Sequence, residues 1–383
     1  MTPTVARPNA RPFVRPNYLL RHCVLDAYPG DLLDGVSGVE YYGARVLASS
    51  YPGDVIMMHP DLAGSPQLRM IQEHYSRCGL PTADEFIFDQ NWELARGHRL
   101  QLNPFLFGDE ANTVFPDPRF AATAKEQNNK NNFIRLCWSL GIPVPGTVLY
   151  DDPATFSLSD DRASYPVYVK AAVSASGMHV IRCENDAELL DAIAEMPGSF
   201  QIQEGLPPST VFCSIQYVEM AGKFTHGPLT EQKLDGSHHA GNIFPARIVD
   251  ADLVQPFTDK AARHMFEKGM RFTWGFDIAV TTDRGPLAIE ANPRANGATY
   301  LWMPAARLDA TAWEGEYVYP RNGDLRFILR DPADWEYSRH RGNGIVLINW
   351  GPMLGTPPKL GLLVIGDADQ RERLLRTFKL RYC

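Results

Sequence analysis

At 383 residues, with 44 % hydrophobic and 21 % charged side chains, the chain has the composition of a soluble globular protein of two or three packed units, which excludes global disorder. Its 37 Lys and Arg against 45 Asp and Glu leave a net charge of -8. That balance excludes a general nucleic-acid binder, which needs a surplus of phosphate-neutralising cations, but not a local basic pocket for a phosphorylated small molecule. Thirty glycines and thirty prolines point to a loop-rich α/β chain rather than a helical bundle. The six cysteines (Cys23, Cys78, Cys137, Cys183, Cys213, Cys383) form no C-x-x-C pair and read as free, mostly buried thiols of a reducing compartment. No run approaches the ~18 apolar residues of a membrane span, so no membrane partner and a cytoplasmic location are expected. The first fifteen residues carry Arg7, Arg11 and Arg15 without an apolar core and read as a flexible leader.

In residues 16–118 short apolar runs alternate with turn signals. ARVLAS (44–49), DVIMMHP (54–60) and DEFIFD (84–89) read as buried strands, and SPQLRMIQEHYSRCG (65–79) has helical spacing and ends on Gly79. Strand, helix, strand at these lengths is a βαβ unit, so a small open parallel sheet is expected. Its first turn holds Gly35-Val36-Ser37-Gly38, which reads as a tight turn or as a nucleotide contact.

The next region opens on KEQNNKNNFIRLCWSLG (125–141), read as one helix with Phe133, Leu136, Cys137 and Leu140 on a single stripe. Gly141, Pro143 and Pro145 end it. Strands TVLY (147–150), YPVYVKAAV (165–173) and HVIRC (179–183) follow, with a Ser-Ala-Ser-Gly loop at 174–177 and a helix at 185–196. Residues 200–250 alternate like antiparallel strands; then come a helix near 255–269 and strands at 276–281 and 286–291. Strands at 344–350 and 361–366 precede a helix at 368–379, whose Arg371, Arg373, Arg376 and Lys379, with Arg381 beyond it, read as a solvated face. The expected units are a leader (1–15), an α/β domain (16–118), subdomains 119–205 and 206–308, and a closing subdomain 309–383.

The strongest chemical signal is the pair of strands that ends in EANPRANG. Asp277 lies in the first strand, and in an antiparallel hairpin it faces the end of the second. Glu290 and Asn292 are two apart and share a strand face, so the three side chains can converge. Two carboxylates and an amide oxygen are hard donors of the kind Mg²⁺ takes beside phosphates and water. A solvated surface hairpin fits the spacing as well, but acids inside apolar strands are costly without a partner. Arg294 continues the alternation and sets a guanidinium beside the same ion.

Lys170 ends an apolar strand just before the small-residue loop, offering a point charge and backbone N–H groups to a polyphosphate. Walker A spacing is absent. Lys130 alone reads as an exposed helical lysine. His238 and His239 point to opposite strand faces and read as a loop or substrate contact rather than a zinc site. Arg247 suits a bidentate grip on a substrate carboxylate, or a surface salt bridge. Tyr300 and Trp302 read as core.

This series of segments resembles the ATP-grasp superfamily over roughly residues 120–308. The matching parts are the lysine helix before Gly141-Ile142-Pro143-Val144-Pro145, YPVYVK with its Ser/Gly loop, Gln203-Glu204, a lysine strand, and Asp277-x12-Glu290-x-Asn292-Pro293-Arg294. The metal spacing and EQKLDGSHHAGNIFPA (231–246) are similar to the D-alanine–D-alanine ligase branch, and the upstream region resembles a pre-ATP-grasp domain. The layout looks most like amino-acid and peptide ligases of natural-product pathways. The implied architecture is two α+β subdomains clamping ATP behind a small open parallel sheet.

The resemblance implies that Lys130 and Lys170 hold the nucleotide phosphates, with Ser174, Ser176 and Gly177 as the flap above them. It places Gln203, Glu204 and Leu206 around the adenine and directs Lys233 at the γ-phosphate. Asp277, Glu290 and Asn292 become ligands of Mg²⁺, or of Mn²⁺ in its place, and Arg294 lies beside the transferring phosphoryl group. Two departures stand out: SASGMHV has less glycine than the family flap, and no ribose-binding glutamate is evident near Ser209-Thr210. The implied activity is ATP-dependent ligation, in which the carboxylate of an amino acid or peptide becomes an acylphosphate and is attacked by an amine, giving ADP and phosphate. Arg294 or the backbone amides of Asn296 and Gly297 would hold the oxyanion. The alternatives are a carboxylase or kinase-like member and a nucleotide-binding regulator without turnover. The expected partners are small carboxylates and amines, with homo-oligomerisation open.

Overall fold

The computed structural model describes residues 18–20, 38–89, 101–103, 117–158, 164–174, 177, 179–220, 222–236 and 238–383. The leader, Cys23, Gly35 to Ser37 and Ser176 lie outside them. Strands β1 (Tyr18–Leu20), β2 (Val55–Met58), β3 (Glu85–Phe88) and β4 (Gln101–Asn103) form a sheet in the order β3-β2-β1-β4. All its pairings are parallel, as the βαβ pattern predicts. Helix α1 (Pro66–Cys78) joins β2 to β3; the Ser65 side chain caps it and Gly79, at φ 81°, ends it.

Residues 44–49, expected as a strand, belong instead to a 3₁₀ helix, Val39–Ser49. Ala44, Val46, Leu47 and Ala48 are all buried, so the run shows no polar face from which a period can be read. Gly38 starts this helix at φ 66°, and a Cβ there would lie 2.8 Å from Pro352 Cα. The glycine therefore serves a close contact with the C-terminal part of the chain.

The expected helix over 125–141 is two helices, α2 (Pro118–Gln127) and α3 (Lys130–Leu140). The Asn129 side chain accepts from the Asn132 amide and caps a new start, so Lys130 occupies a first turn rather than a helix middle. Gly141 ends α3 in the left-handed region, at φ 63°. Strands β5 (Thr147–Tyr150), β6 (Val167–Ala171) and β7 (Val180–Cys183), helix α4 (Asp186–Ala194) and strand β8 (Phe200–Glu204) make an antiparallel sheet ordered β5-β8-β6-β7. One face packs Val167, Val169, Phe200 and Ile202 against Leu189 and Ile193 of α4. The other carries Lys170, Gln201 and Gln203.

The remaining chain builds one eight-stranded antiparallel sheet. Its elements are β9 (Val211–Met220), β10 (Lys223–Asp235), β11 (His238–Phe244), α5 (Ala251–Lys268), β12 (Thr273–Thr281), β13 (Gly285–Asn292), α6 (Gly297–Arg307), β14 (Trp313–Val318), α7 (Leu325–Leu329), β15 (Gly344–Asn349), β16 (Leu360–Ile365) and α8 (Ala368–Tyr382). The strand order is β13-β12-β9-β10-β11-β14-β16-β15, so the C-terminal strands extend the sheet that carries the acidic hairpin. Trp274, Phe276 and Ile278 pack with α2, α3 and α5, and the Phe133 and Phe276 rings stack 5.7 Å apart. The C-terminal strands share a second core with α1, α6 and the 3₁₀ helix.

Helix α8 departs from the solvated face expected of it. Arg371 is buried against Glu314 at 3.1 Å and Lys379 pairs with Glu316 at 2.6 Å, while Arg373 and Arg376 are exposed. The described cysteines are free, and all but Cys383 are buried. Among the described residues no helix is long and apolar enough to cross a membrane.

A polar triad, with His74 and Glu336 buried and Arg77 at the surface, pins α1 to the C-terminal strands. The Leu347 amide donates to His74 Nε2 at 3.1 Å, which places the ring proton on Nδ1, 2.6 Å from Glu336 Oε1. Arg77 forks onto the same carboxylate at 2.8 and 2.9 Å. Burial acts to raise the Glu336 carboxyl, but the His74 and Arg77 hydrogen bonds overcome it and take it from 4.5 to about 2. A carboxyl lowered on folding stabilises fully above its unfolded pKa and loses that contribution as pH falls toward its folded value. Glu336→Gln is expected to cost about 1–3 kcal/mol at neutral pH, because it takes the charged acceptor from the buried His74 ring. In urea unfolding the gap between wild type and variant should narrow steadily below about pH 4.5; a gap independent of pH contradicts the assignment.

Candidate active site

The hairpin β12–β13 pairs Asp277 with Glu290 and Gly275 with Asn292, so the side chains of Asp277, Glu290 and Asn292 share one face. A bulge after Asp277 shifts the register so that Ile278 meets Ala288, returning both to the apolar side. Strand β13 is the edge of its sheet, and the first turn of α3 reaches the acids there. Asn292 Nδ2 donates to Asp277 Oδ2 at 3.1 Å, while Asp277 Oδ1 is buried with no hydrogen-bond partner. Burial and the neighbouring Glu290 push the Asp277 carboxyl up to about 7. Burial acts the same way on Glu290, but Lys130 outweighs it and holds that carboxyl below its ordinary value.

Lys130 joins the two halves of the cleft. Its Nζ lies 3.0 Å from Glu290 Oε2 and donates to Ser174 Oγ at 3.0 Å. Its backbone amide donates to Ala172 O at 2.7 Å, and Asn131 Nδ2 donates to the carbonyls of Tyr150 and Phe200. The start of α3 is thereby fastened to the β5–β8 sheet. Lys170 donates to Gln203 Oε1 at 2.6 Å, and Gln203 Nε2 donates to Thr147 Oγ1 at 3.0 Å. Burial lowers the Lys170 ammonium to about 8, with Glu290 opposing that shift and Lys130 adding to it. Lys130 thus touches Glu290 directly, and Lys170 lies near enough to be influenced by both.

The hard oxygens of Asp277, Glu290 and Asn292 fit a divalent cation, and the unpartnered Asp277 Oδ1 is the clearest sign of it. Arg294 is buried beside them and donates to Asn128 Oδ1 at 2.7 Å. Ser174 accepts from Lys130, Gly177 lies three residues further along the same loop, and Leu206 is half-buried just past β8. The Glu204 carboxylate is taken up by the Gly146 amide at 2.6 Å and by Arg284 at 2.5 Å, so its side chain ties the β5–β8 sheet to the β12–β13 turn.

Other expected residues are not brought to the cluster. Lys233 alternates with Gln232 and falls on the opposite face of the sheet, where it pairs with Glu314 and Glu316. Arg247 is exposed on that same side and lines a cavity with Glu314 and residues of α8. Asn296 caps α6, and its backbone N–H donates to Thr299 Oγ1 at 3.1 Å, so that amide is not open to an oxyanion. Gly297 abuts the His239 ring, where a Cβ would come within 2.8 Å of Cε1.

Several polar groups on the acid-bearing side had no motif to announce them. Gln216 Nε2 donates to Ser214 Oγ at 3.0 Å, Thr299 Oγ1 donates to Gln216 Oε1 at 3.0 Å, and Asn242 Nδ2 donates to Thr230 Oγ1 at 2.9 Å. Their trace in the sequence is the recurrence of polar residues at every second position in CSIQ and TEQ. The His239 ring, 2.7 Å from Asn242 Oδ1, completes the set.

No protein-family model matches the chain, and no curated protein matches it by sequence. Solved structures do match over nearly its full length. An N5-carboxyaminoimidazole ribonucleotide synthetase in its ADP complex is 12 % identical, with a TM-score of 0.63 over 99 % of this chain and 98 % of that one. The N5-carboxyaminoimidazole synthetase of Staphylococcus aureus gives 0.61 at 12 % identity over 95 % and 97 %. The L-amino acid ligase of Bacillus licheniformis gives 0.57 at 12 % identity over 96 % and 98 %. Both kinds of enzyme have the ATP-grasp fold, and this chain has it as well.

The Lys130–Glu290 pair is testable without any ligand. A cycle of Lys130→Met, Glu290→Gln and the double variant is expected to show a coupling of about 1–3 kcal/mol in denaturant unfolding, because either single change strands a buried charge. Additive changes contradict the contact.

Proposed function

We propose that this chain is an ATP-dependent carboxylate–amine ligase that activates a carboxylate as an acylphosphate and releases ADP and phosphate. The observation that carries the reading is the placement of Lys130 and Lys170 against Asp277, Glu290 and Asn292 inside an ATP-grasp fold. A polyphosphate needs cations on one side and, through a metal ion, acids on the other; both are built here before any ligand arrives. A divalent ion held by Asp277, Glu290 and Asn292 would supply charge neutralisation for the phosphates.

The chain's own residues do the positioning. Lys130 and Lys170 take the phosphate oxygens, and Lys170, lowered only to about 8, stays largely charged at neutral pH. Gln203 and Leu206 border the adenine pocket, and Ser174 with Gly177 covers the phosphates. Arg294, buried beside Glu290, neutralises charge that develops on the transferring phosphoryl group and then on the oxyanion formed by amine attack. No nucleophilic side chain is needed, because orientation and electrostatics carry the phosphoryl and acyl transfers. Amino acids or short peptides are the proposed substrates, in keeping with the L-amino acid ligase among the structural neighbours. Lys233 and Arg247 are assigned no part in nucleotide binding.

Lys170→Ala is expected to weaken a non-hydrolysable ATP analogue by about tenfold or more in calorimetry, the loss of one charged contact. Lys233→Ala should change that affinity by less than about twofold; the reverse pattern contradicts the site. Ligation itself is read by phosphate release with amino acids supplied singly and in pairs. Release that requires a pair, with a new C–N bond in equal amount, is the expected result, and it should vanish in Glu290→Gln. Release that depends on bicarbonate, or on one compound with no new C–N bond, contradicts the proposal.

A further inference from the structure

Helix α8 covers the face of the large sheet opposite to the one that bears Asp277 and Glu290, with Arg371 and Phe378 turned inward. Between its outer stripe and Arg247 opens a cavity of about 840 Å³, lined by Leu375, Leu380 and Cys383 as well as by charged side chains. The three most exposed large hydrophobic side chains among the described residues gather here: Leu380 is 77 % exposed, Ile248 74 % and Tyr319 56 %. Leu380 lines the cavity, Ile248 follows Arg247 at its rim, and the Cys383 thiol lies within hydrogen-bonding reach of the Tyr319 backbone. Single exposed apolar side chains are ordinary, but a cluster of the most exposed ones around one cavity marks a contact surface.

The exposure is not that of a loose loop. The backbone amides of Arg247 and Ile248 both donate to the buried Glu231 carboxylate, so the backbone is held while both side chains are exposed. The charges beside the apolar cluster are ordered along α8. Asp369 and Glu372 line the cavity from the first half of the helix, Arg376 and Lys379 from the second. Lys379 is engaged by Glu316 at 2.6 Å. Glu372 and Arg376 stand four apart, in the orientation that favours an ion pair within a helix, yet among the described residues neither forms one. A helix face whose acids precede its cations is complementary to the same face turned end for end.

We propose that this face docks a second copy of the chain. Helix α8 crosses its counterpart antiparallel about a two-fold axis, so that Glu372 of each copy meets Arg376 of the other, and Leu380 and Ile248 enter the contact. The occupant follows from charge. The cavity lining holds three cations and three acids, which gives no net attraction to a strongly charged partner. The same surface reversed satisfies both signs, and a two-fold contact makes each pair twice. The acidic hairpin faces the other side of the sheet, so the dimer leaves the cleft open, and the inference does not rest on the ligase reading. One helix and its flanking loops make a contact near the roughly 1,000 Å² lower bound of specific interfaces, so a reversible dimer of about micromolar affinity is expected.

The test follows the full chain by sedimentation velocity from about 1 to 100 μM, a range that brackets that affinity. The wild type should pass from monomer to dimer mass as its concentration rises. Glu372→Arg and Arg376→Glu should each weaken association about tenfold or more, because each sets like charges together at two places. The double variant should associate within about threefold of wild type, and so should an equimolar mixture of the two single variants, since opposite charges meet again in both. Leu380→Ser should weaken association about tenfold through lost apolar burial. Leu190→Ser, a change at an exposed apolar residue of α4, should leave it intact. Each variant should keep the wild-type Tm in dilute solution, which separates lost association from lost folding. A monomer over the whole range overturns the proposal, as do dimers indifferent to Leu380→Ser. Losses in the single variants that neither the double variant nor the mixture repairs overturn it as well.

Discussion

Two carboxylates buried on adjacent strands repel one another; Lys130 meets Glu290 and keeps that one charged, while Asp277 beside it is pushed up to about 7. The Lys130 ammonium sits between Glu290 on the large sheet and Ser174 beside the β5–β8 sheet, each at 3.0 Å. For a lysine to stand there the chain must break one helix and start another at Asn129, and α3 must pack at the edge strand β13. The Phe133–Phe276 stack and the Asn131 bonds to Tyr150 and Phe200 keep that helix in place. Through these contacts one ion pair connects a local capping choice, the packing of two sheets and the charge of the cleft.

The acid hairpin was legible because a strand has a period of two and the turn between the strands is short. Those facts alone bring Asp277, Glu290 and Asn292 to one face. The lysine on the β6 strand was legible for a similar reason, since a charge inside YPVYVKAAV interrupts an otherwise buried run. The break before Lys130 was hidden in a polar stretch, KEQNNKNN, where several residues are equally good caps and no apolar period marks the boundary. Residues 44–49 misled because a run buried on every side carries no period.

Positions set by strand order escaped the sequence altogether. Lys233 follows Gln232 by one residue, and that single step places it on the far face with Glu314 and Glu316. Arg371 reads as one more surface cation until β14 is laid under it, bringing Glu314 to 3.1 Å. Arg45 and Lys359 lie more than three hundred residues apart, and only the eight-strand order and the 3₁₀ helix bring both to the Tyr42 ring. The ATP-grasp fold was recognised from local motifs, while the walls of the cleft beyond the acids are assembled from both ends of the chain.

The most direct test of the central claim is a crystal structure with a non-hydrolysable ATP analogue and Mn²⁺, the ion located by its anomalous scattering. The metal is expected within coordinating distance of Asp277, Glu290 and Asn292, the triphosphate between it and Lys130 and Lys170, and the Lys130–Glu290 contact exchanged for phosphate. A nucleotide found elsewhere, or a triphosphate in the cleft with that hairpin turned away from it, would contradict that claim.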